Sequence, residues 1–204
     1  MGTTEPSANR RPLKSRSTRW AGAATRAVLA TGLTANQISF LGIVIAVLGA
    51  WALLEAPTRP LLFLAAAACI QLRLFANMLD GLVAVEGGRG GPTGAIWNEF
   101  PDRIEDSLFL IAAGYAAELP WLGWLCALLA AVCAYVRLLG GTLGQPQDFT
   151  GPMAKPHRMA ALTVGCLIAA IWFGGLQVAL GVIAAGTAGT IARRLLRLSK
   201  ALRA

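Results

Sequence analysis

Acid is scarce in this chain. Ten Asp and Glu stand against eighteen Lys and Arg among 204 residues, and charged side chains make up only 14% of the total. A soluble domain carries nearer a quarter, so the composition excludes an ordinary water-soluble fold. The only histidine, His157, has no cysteine or second histidine at ligand spacing, which excludes the usual zinc site. Cys69, Cys126, Cys133 and Cys166 all lie within apolar runs and show no CxxC spacing; this excludes a disulfide framework and leaves them as packing residues. Neither a P-loop nor a dinucleotide fingerprint is present, and no internal repeat supports a transporter built from duplicated halves. The polar first 14 residues carry Arg10, Arg11 and Lys14, with no apolar core close enough behind them for a cleavable signal peptide. They are expected to stay attached and disordered.

What the chain has in abundance is apolar surface. Hydrophobic residues make up 56% of it, and its mean hydropathy is +0.60. About 20 apolar residues cross a bilayer as a helix, and six stretches come close: 36–54, 60–79, 104–119, 121–143, 159–173 and 176–195. Thr34 or Asn36 is placed to cap the first. Before them, over 15–33, Arg16, Arg19 and Arg26 alternate with Trp20, Ala23, Ala27, Val28 and Leu29. That pattern suits a helix lying in the headgroup region, or equally a basic flank of the first span. The expectation is an all-α integral membrane protein with six transmembrane helices and an N-terminal interfacial amphipathic helix. Residues 1–35 form the basic tail and interfacial helix, 36–195 the six-helix domain, and 196–204 a basic C-terminal tail.

Lys and Arg set the orientation. They crowd the two termini and the 80–103 and 137–158 connections, whereas the three opposite connections carry only Arg59. The positive-inside rule then puts both termini in the cytoplasm, and Trp51, Trp121, Trp124 and Trp172 at the outer interface. The net charge of +8 lies at the termini and beside apolar segments, a distribution suited to anionic lipid rather than nucleic acid. Small residues recur every four positions at Gly42, Ala46 and Ala50 and again at Gly181, Ala185 and Gly189. Such stripes serve close packing inside the bundle or the seam of a homodimer.

Six of the ten acids fall in one stretch, at Asp80, Glu86, Glu99, Asp102, Glu105 and Asp106. Carboxylates where a helix pair leaves hydrocarbon are costly and mark ion or substrate sites. Arg73, Asn77 and Asp80 are spaced to share one helix face; Asn98, Asp102 and Asp106 repeat at four on the next helix, with Glu105 beside them. Pro101 is placed in or near the first turn of that second helix. The two faces together predict a cup of oxygen donors suited to Mg²⁺ or Mn²⁺. Between them the glycine-rich loop 87–94 would let backbone N–H groups approach a phosphate, or serve simply as a flexible hairpin.

The spacing of Asn77, Asp80-Gly81, Ala84-Val85, Gly94, Asn98 and Asp102 resembles, without insertion or deletion, the signature of the CDP-alcohol phosphatidyltransferase family. Three positions depart from it: Asn77 and Asn98 stand where the family has acids, and Val85 stands in place of an arginine. The resemblance implies transfer of a phosphatidyl or related phospho-group from a CDP-linked donor to a polar alcohol, with release of CMP. It implies Asn77, Asp80, Asn98 and Asp102 as ligands of the divalent metal, Asp102 as the base, and Gly81, Ala84 and Gly94 as room for the nucleotide. Glu99, Glu105 and Asp106 are expected as additional acidic ligands that offset the two asparagines. Arg137, Lys155 and Arg158 are expected to bind an acceptor phosphate or, equally, to be positive-inside flanks. CDP-diacylglycerol is the expected donor, with another CDP-alcohol as the alternative, and a bacterial inner membrane is the expected location. The three departures also leave open a catalytically degenerate protein that binds nucleotide or lipid or scaffolds another lipid enzyme.

Overall fold

The computed structural model describes residues 19–86 and 94–203. Among these the chain forms seven α-helices and no strand: α1 (Arg19–Ala30), α2 (Ala35–Glu55), α3 (Leu62–Glu86), α4 (Gly94–Ala116), α5 (Pro120–Thr142), α6 (Lys155–Ala169) and α7 (Gly174–Ala201). The expectations for the first 18 residues and for the glycines of the 87–93 loop lie outside the described residues.

Local chemistry fixes several ends. Thr34, not Asn36, caps α2: its hydroxyl accepts from the Gln37 N–H at 3.3 Å while the Gln37 side chain accepts from the Thr34 N–H at 2.9 Å. This reciprocal pair satisfies two donors that a helix start otherwise leaves orphaned. Pro120 opens α5 and Pro156 sits in the first turn of α6, where a missing N–H costs nothing. Pro101 departs from expectation. Because α4 already begins at Gly94, Pro101 lies inside the helix, and the carbonyl of Trp97 loses its helical donor there.

Among the described residues four helices are long and apolar enough to cross a membrane: α2, Leu62–Val83 of α3, α5 and α7. The other two expected spans differ for plain reasons. The 15 residues of α6 rise only about 22 Å against a hydrocarbon core of about 30 Å. The first half of α4 carries Glu99, Asp102, Arg103, Glu105 and Asp106.

Helix α2 packs on both α3 and α4, α5 on α4 and α7, and α6 on α3 and α7, whereas α3 and α4 meet each other sparingly. Leu53, Phe63, Ile70, Phe109, Leu110, Met159, Leu162, Leu176, Leu180 and Ile183 form the apolar core. The α2 stripe works inside the bundle. Gly42, Ala46 and Ala50 are buried, and a Cβ at nearby Gly49 would come within 2.5 Å of the Phe109 ring. The α7 stripe does not: Gly181, Ala185 and Gly189 face outward, and a Cβ at Gly181 or Gly189 would meet nothing within 4 Å. Trp51, Trp121, Trp124 and Trp172 are all exposed near helix ends. Helix α1 leans on α3, with Val28 and Leu29 against an apolar cluster that includes Ile38, Met78, Leu79, Leu82 and Val83.

Candidate active site

The sparse contact between α3 and α4 leaves a gap, and side chains of opposite charge fill it. From α3, Arg73, Asn77 and Asp80 follow one another at four and three residues on one face. From α4 come Asp102, Glu105 and Asp106, and from the start of α6 come Lys155 and Arg158. Arg73 has no exposed surface. Its guanidinium pairs with Asp102 at 3.0 Å, with Asp106 at 3.2 Å and with Glu105. Lys155 Nζ lies 2.5 Å from Asp102 Oδ1, and Arg158 donates to Asp106 Oδ2 at 3.1 Å. Asn77 Nδ2 donates to Asp102 Oδ1 at 2.6 Å, joining α3 to α4 directly. Taking so many charges out of water is tolerable only because each has an opposite partner; removing one partner from such a pair typically costs about 3–5 kcal/mol.

Asp80 is held differently. Ser39 of α2 donates to its Oδ2 at 2.8 Å and the Gly81 N–H also acts on the carboxylate, but Oδ1 is buried with no well-formed hydrogen bond among the described residues. Asp80 and Asp102 lie close enough to feel each other's charge, and Lys155 acts on both. A buried carboxylate oxygen without a well-placed donor is a place that a hard cation satisfies, so the donor set fits one such ion. The rest of the expected cup is already occupied. Among the described residues no three His, Cys, Asp or Glu side chains converge on a common point to hold a metal, because the acids of α4 turn to protein cations. The additional ligands Glu105 and Asp106 are paired with Arg73 and Arg158, and Glu99 is paired with Arg137. The side chains of Ala84 and Asn98 lie outside the described residues. Gly81 is half-buried. A Cβ at Gly94 would meet nothing within 4 Å, which leaves open space at the start of α4.

The three candidate acceptor cations part company. Lys155 and Arg158 belong to the buried chamber, whereas Arg137 faces both ways: it pairs with Glu99 and also lines a cavity of about 240 Å³. This cavity lies between the C-terminal ends of α5 and α7 and the segment joining α5 to α6, lined also by Gln145, Asp148, Arg194 and Arg197. Arg194 ties the wall together, donating to the Thr150 carbonyl at 3.0 Å and the Cys133 carbonyl at 2.9 Å. Asp148 accepts from the Thr150 N–H at 2.8 Å, from its hydroxyl at 2.6 Å and from Arg197 at 3.2 Å. Partial burial alone would raise the Asp148 carboxyl, but these hydrogen bonds and the Arg197 charge outweigh it and hold it below its ordinary value. Arg194, Arg197 and Ser39 went unsingled in the sequence. The arginines read there as C-terminal positive-inside charge; their inward turn depends on contacts with α5 and with the segment that follows it, more than forty residues away.

No protein-family model matches the chain. It is 32% identical over 152 residues to the inner membrane protein YnbA of Escherichia coli K12, covering 72% of this chain and 69% of that protein. It is 27% identical over 180 residues to the phosphatidylinositol phosphate synthase of Mycolicibacterium smegmatis, covering 83% and 79%. The structure matches that of the Mycobacterium tuberculosis phosphatidylinositol phosphate synthase PgsA1 with CDP-DAG bound, at a TM-score of 0.76 and 23% identity over 89% of this chain and 94% of that one. The same protein with manganese and citrate matches at 0.75 and 23% identity, over 86% and 87%. Fold and site together describe a helical membrane protein with a charged chamber between its helices. The chain belongs to the CDP-alcohol phosphatidyltransferase family, transferases of phospholipid biosynthesis.

Proposed function

We propose that this protein transfers a phosphatidyl group from CDP-diacylglycerol to a polar alcohol carrying an anionic group, releasing CMP. The observation that carries this reading is the meeting of Asp80 and Asp102 at one chamber, with Asp80 Oδ1 making no well-formed hydrogen bond among the described residues. Three findings bear on the donor and acceptor: one curated relative is a phosphatidylinositol phosphate synthase, the structure of another protein of that name holds CDP-DAG, and the cavity beside the chamber is lined by Arg137, Arg194 and Arg197. In the reaction the alcohol oxygen bonds to the phosphorus that bears the diacylglycerol, and the bond from that phosphorus to the bridging oxygen breaks. CMP leaves with the bridging oxygen. The hydroxyl proton passes to Asp102, on Oδ2, whose partner among the described residues is Arg103 at 3.4 Å, since Oδ1 already faces Arg73, Asn77 and Lys155 more closely. Asp80, with Asn77 and Asn98, would hold a Mg²⁺ or Mn²⁺ ion, which when bound neutralises the donor's diphosphate, while Asp102 beside it pairs with Arg73 and Lys155 and serves as the base. Lys155 and Arg73 hold Asp102 in place, while Arg137 and Arg194 position the acceptor's anion. In this reading α2, α3, α5 and α7 each cross a bacterial inner membrane by themselves, α4 crosses with its charged first half at the cytoplasmic side and α6 with the apolar residues 170–173 that follow it, α1 lies along the surface, and the chamber faces the cytoplasm.

A second reading, a degenerate protein that binds nucleotide or lipid, draws on the protein cations that fill the acid cup. One experiment separates the two. Purified protein, CDP-diacylglycerol and Mn²⁺ are incubated with a panel of free and phosphorylated alcohols, and CMP is measured. The proposal expects CMP with at least one phosphorylated alcohol and a loss of about 10²–10⁴-fold in Asp102→Asn, the usual scale for a positioned base. No CMP with any alcohol sinks it.

A further inference from the structure

The metal reading above assigns ligands; it leaves the number of ions open. On that reading, we propose that the chamber binds a single divalent ion, on the Asp80 side, and that the Arg73 guanidinium is the built-in cation of the Asp102, Glu105 and Asp106 side.

Three features point this way. Arg73 is fully buried and touches three carboxylates at once, which makes it the partner that two hard oxygens from one helix and one from its next turn would otherwise require from a metal. Asn77, one turn farther along α3, turns its amide N–H₂ toward Asp102 rather than an oxygen. A carboxylate at that position would repel Asp102, whereas the amide donates to it, so asparagine here suits an acid side already neutralised by Arg73 and Lys155. Asp80 is only 4% exposed, and its Oδ1 makes no well-formed hydrogen bond among the described residues. It alone of the four chamber acids has no ion pair among the described residues. Four carboxylates face four cations, Arg73, Arg103, Lys155 and Arg158, so the fixed charges cancel and one divalent ion is balanced by the donor's diphosphate alone. A second ion would stand uncompensated among four fixed positive charges in a water-poor chamber, where repulsion is weakly screened.

The test counts ions rather than turnover. Mn²⁺ is titrated into the detergent-solubilised full-length protein in the presence of cytidine diphosphate, with free Mn²⁺ followed by electron paramagnetic resonance. Wild type is expected to bind one ion per chain, with the six-line spectrum of an isolated Mn²⁺. Asp80→Asn is expected to weaken that ion at least tenfold. Arg73→Ala, which opens the acid side, is expected to bind two ions with a broadened, spin-coupled spectrum, and Arg73→Lys to stay at one. Two ions in wild type, none, or one that is indifferent to Asp80→Asn overturns the proposal; so does Arg73→Ala remaining at one ion. If Arg73→Ala does not fold, the wild-type and Asp80→Asn titrations still decide. Activity is scored separately. CMP release alongside a wrong ion count removes this inference and leaves the transferase; a single ion with no CMP from any alcohol does the reverse.

Discussion

At Gly42 the lack of a side chain admits Glu105. A Cβ there would sit 2.6 Å from Glu105 Oε1, and that carboxylate cannot swing aside freely because Arg73 holds it. Gly42→Ala is therefore expected to cost about 1–3 kcal/mol, the range for overpacking, and to lower the melting temperature of the purified protein. An unchanged melting temperature would mean that Glu105 moves without loss. At this scale the sequence was informative about which residues carry charge and uninformative about whom they face. Asp80, Asp102 and Asn77 were legible because their spacing follows helical periodicity and a known signature. That Arg73 and Asn77 reach across to Asp102, and that Arg158 closes on Asp106 rather than on a substrate, depends on pairs 25 to 52 residues apart. No local pattern encodes such pairs.

At the scale of elements, the reversal from α4 into α5 stores strain at one residue. Glu118 adopts φ 58°, the left-handed region where a Cβ crowds the backbone. The turn needs that conformation: the Leu119 N–H donates to the Gly114 carbonyl at 2.9 Å and the Glu118 N–H to the Tyr115 carbonyl at 3.1 Å, the pattern that ends a helix through a left-handed residue. Glycine takes it without the clash, at some cost in unfolded-chain entropy. Glu118→Gly should thus stabilise the fold by roughly 0.5–1 kcal/mol, read as a higher melting temperature with CMP release unchanged; a lower one would show that the glutamate side chain contributes more than its backbone costs. Hydropathy placed the six long segments close to helices α2–α7 because apolar runs bounded by Pro and Gly are local signals. The start of α4 was misplaced for an equally local reason: Pro101 looks like a first-turn residue, yet the helix runs back to Gly94 and accepts a proline in its interior.

At the scale of the molecule, two polar regions sit side by side, the buried chamber between α3, α4 and α6 and the basic cavity between α5 and α7, with Arg137 belonging to both through Glu99 and Gln147. The bundle was legible from composition; this adjacency was not, since it arises from α5 packing on both α4 and α7. The cavity wall depends on Asp148, the acid that Thr150 and Arg197 hold, with the Arg194 and Arg137 charges on the facing helices. Because the folded carboxyl is depressed, the tether contributes its full stability above the ordinary carboxylate value of about 3.9. It is lost as pH falls through the lower, folded value. The Thr150 amide resonance, which reports the hydrogen bond directly, is expected to titrate with a midpoint below about 3.9 and to lose that step in Asp148→Asn. A midpoint at or above the ordinary value would mean that the loop does not close on Arg197 in solution, and the cavity would then have no fixed wall from which Arg194 could position an anion.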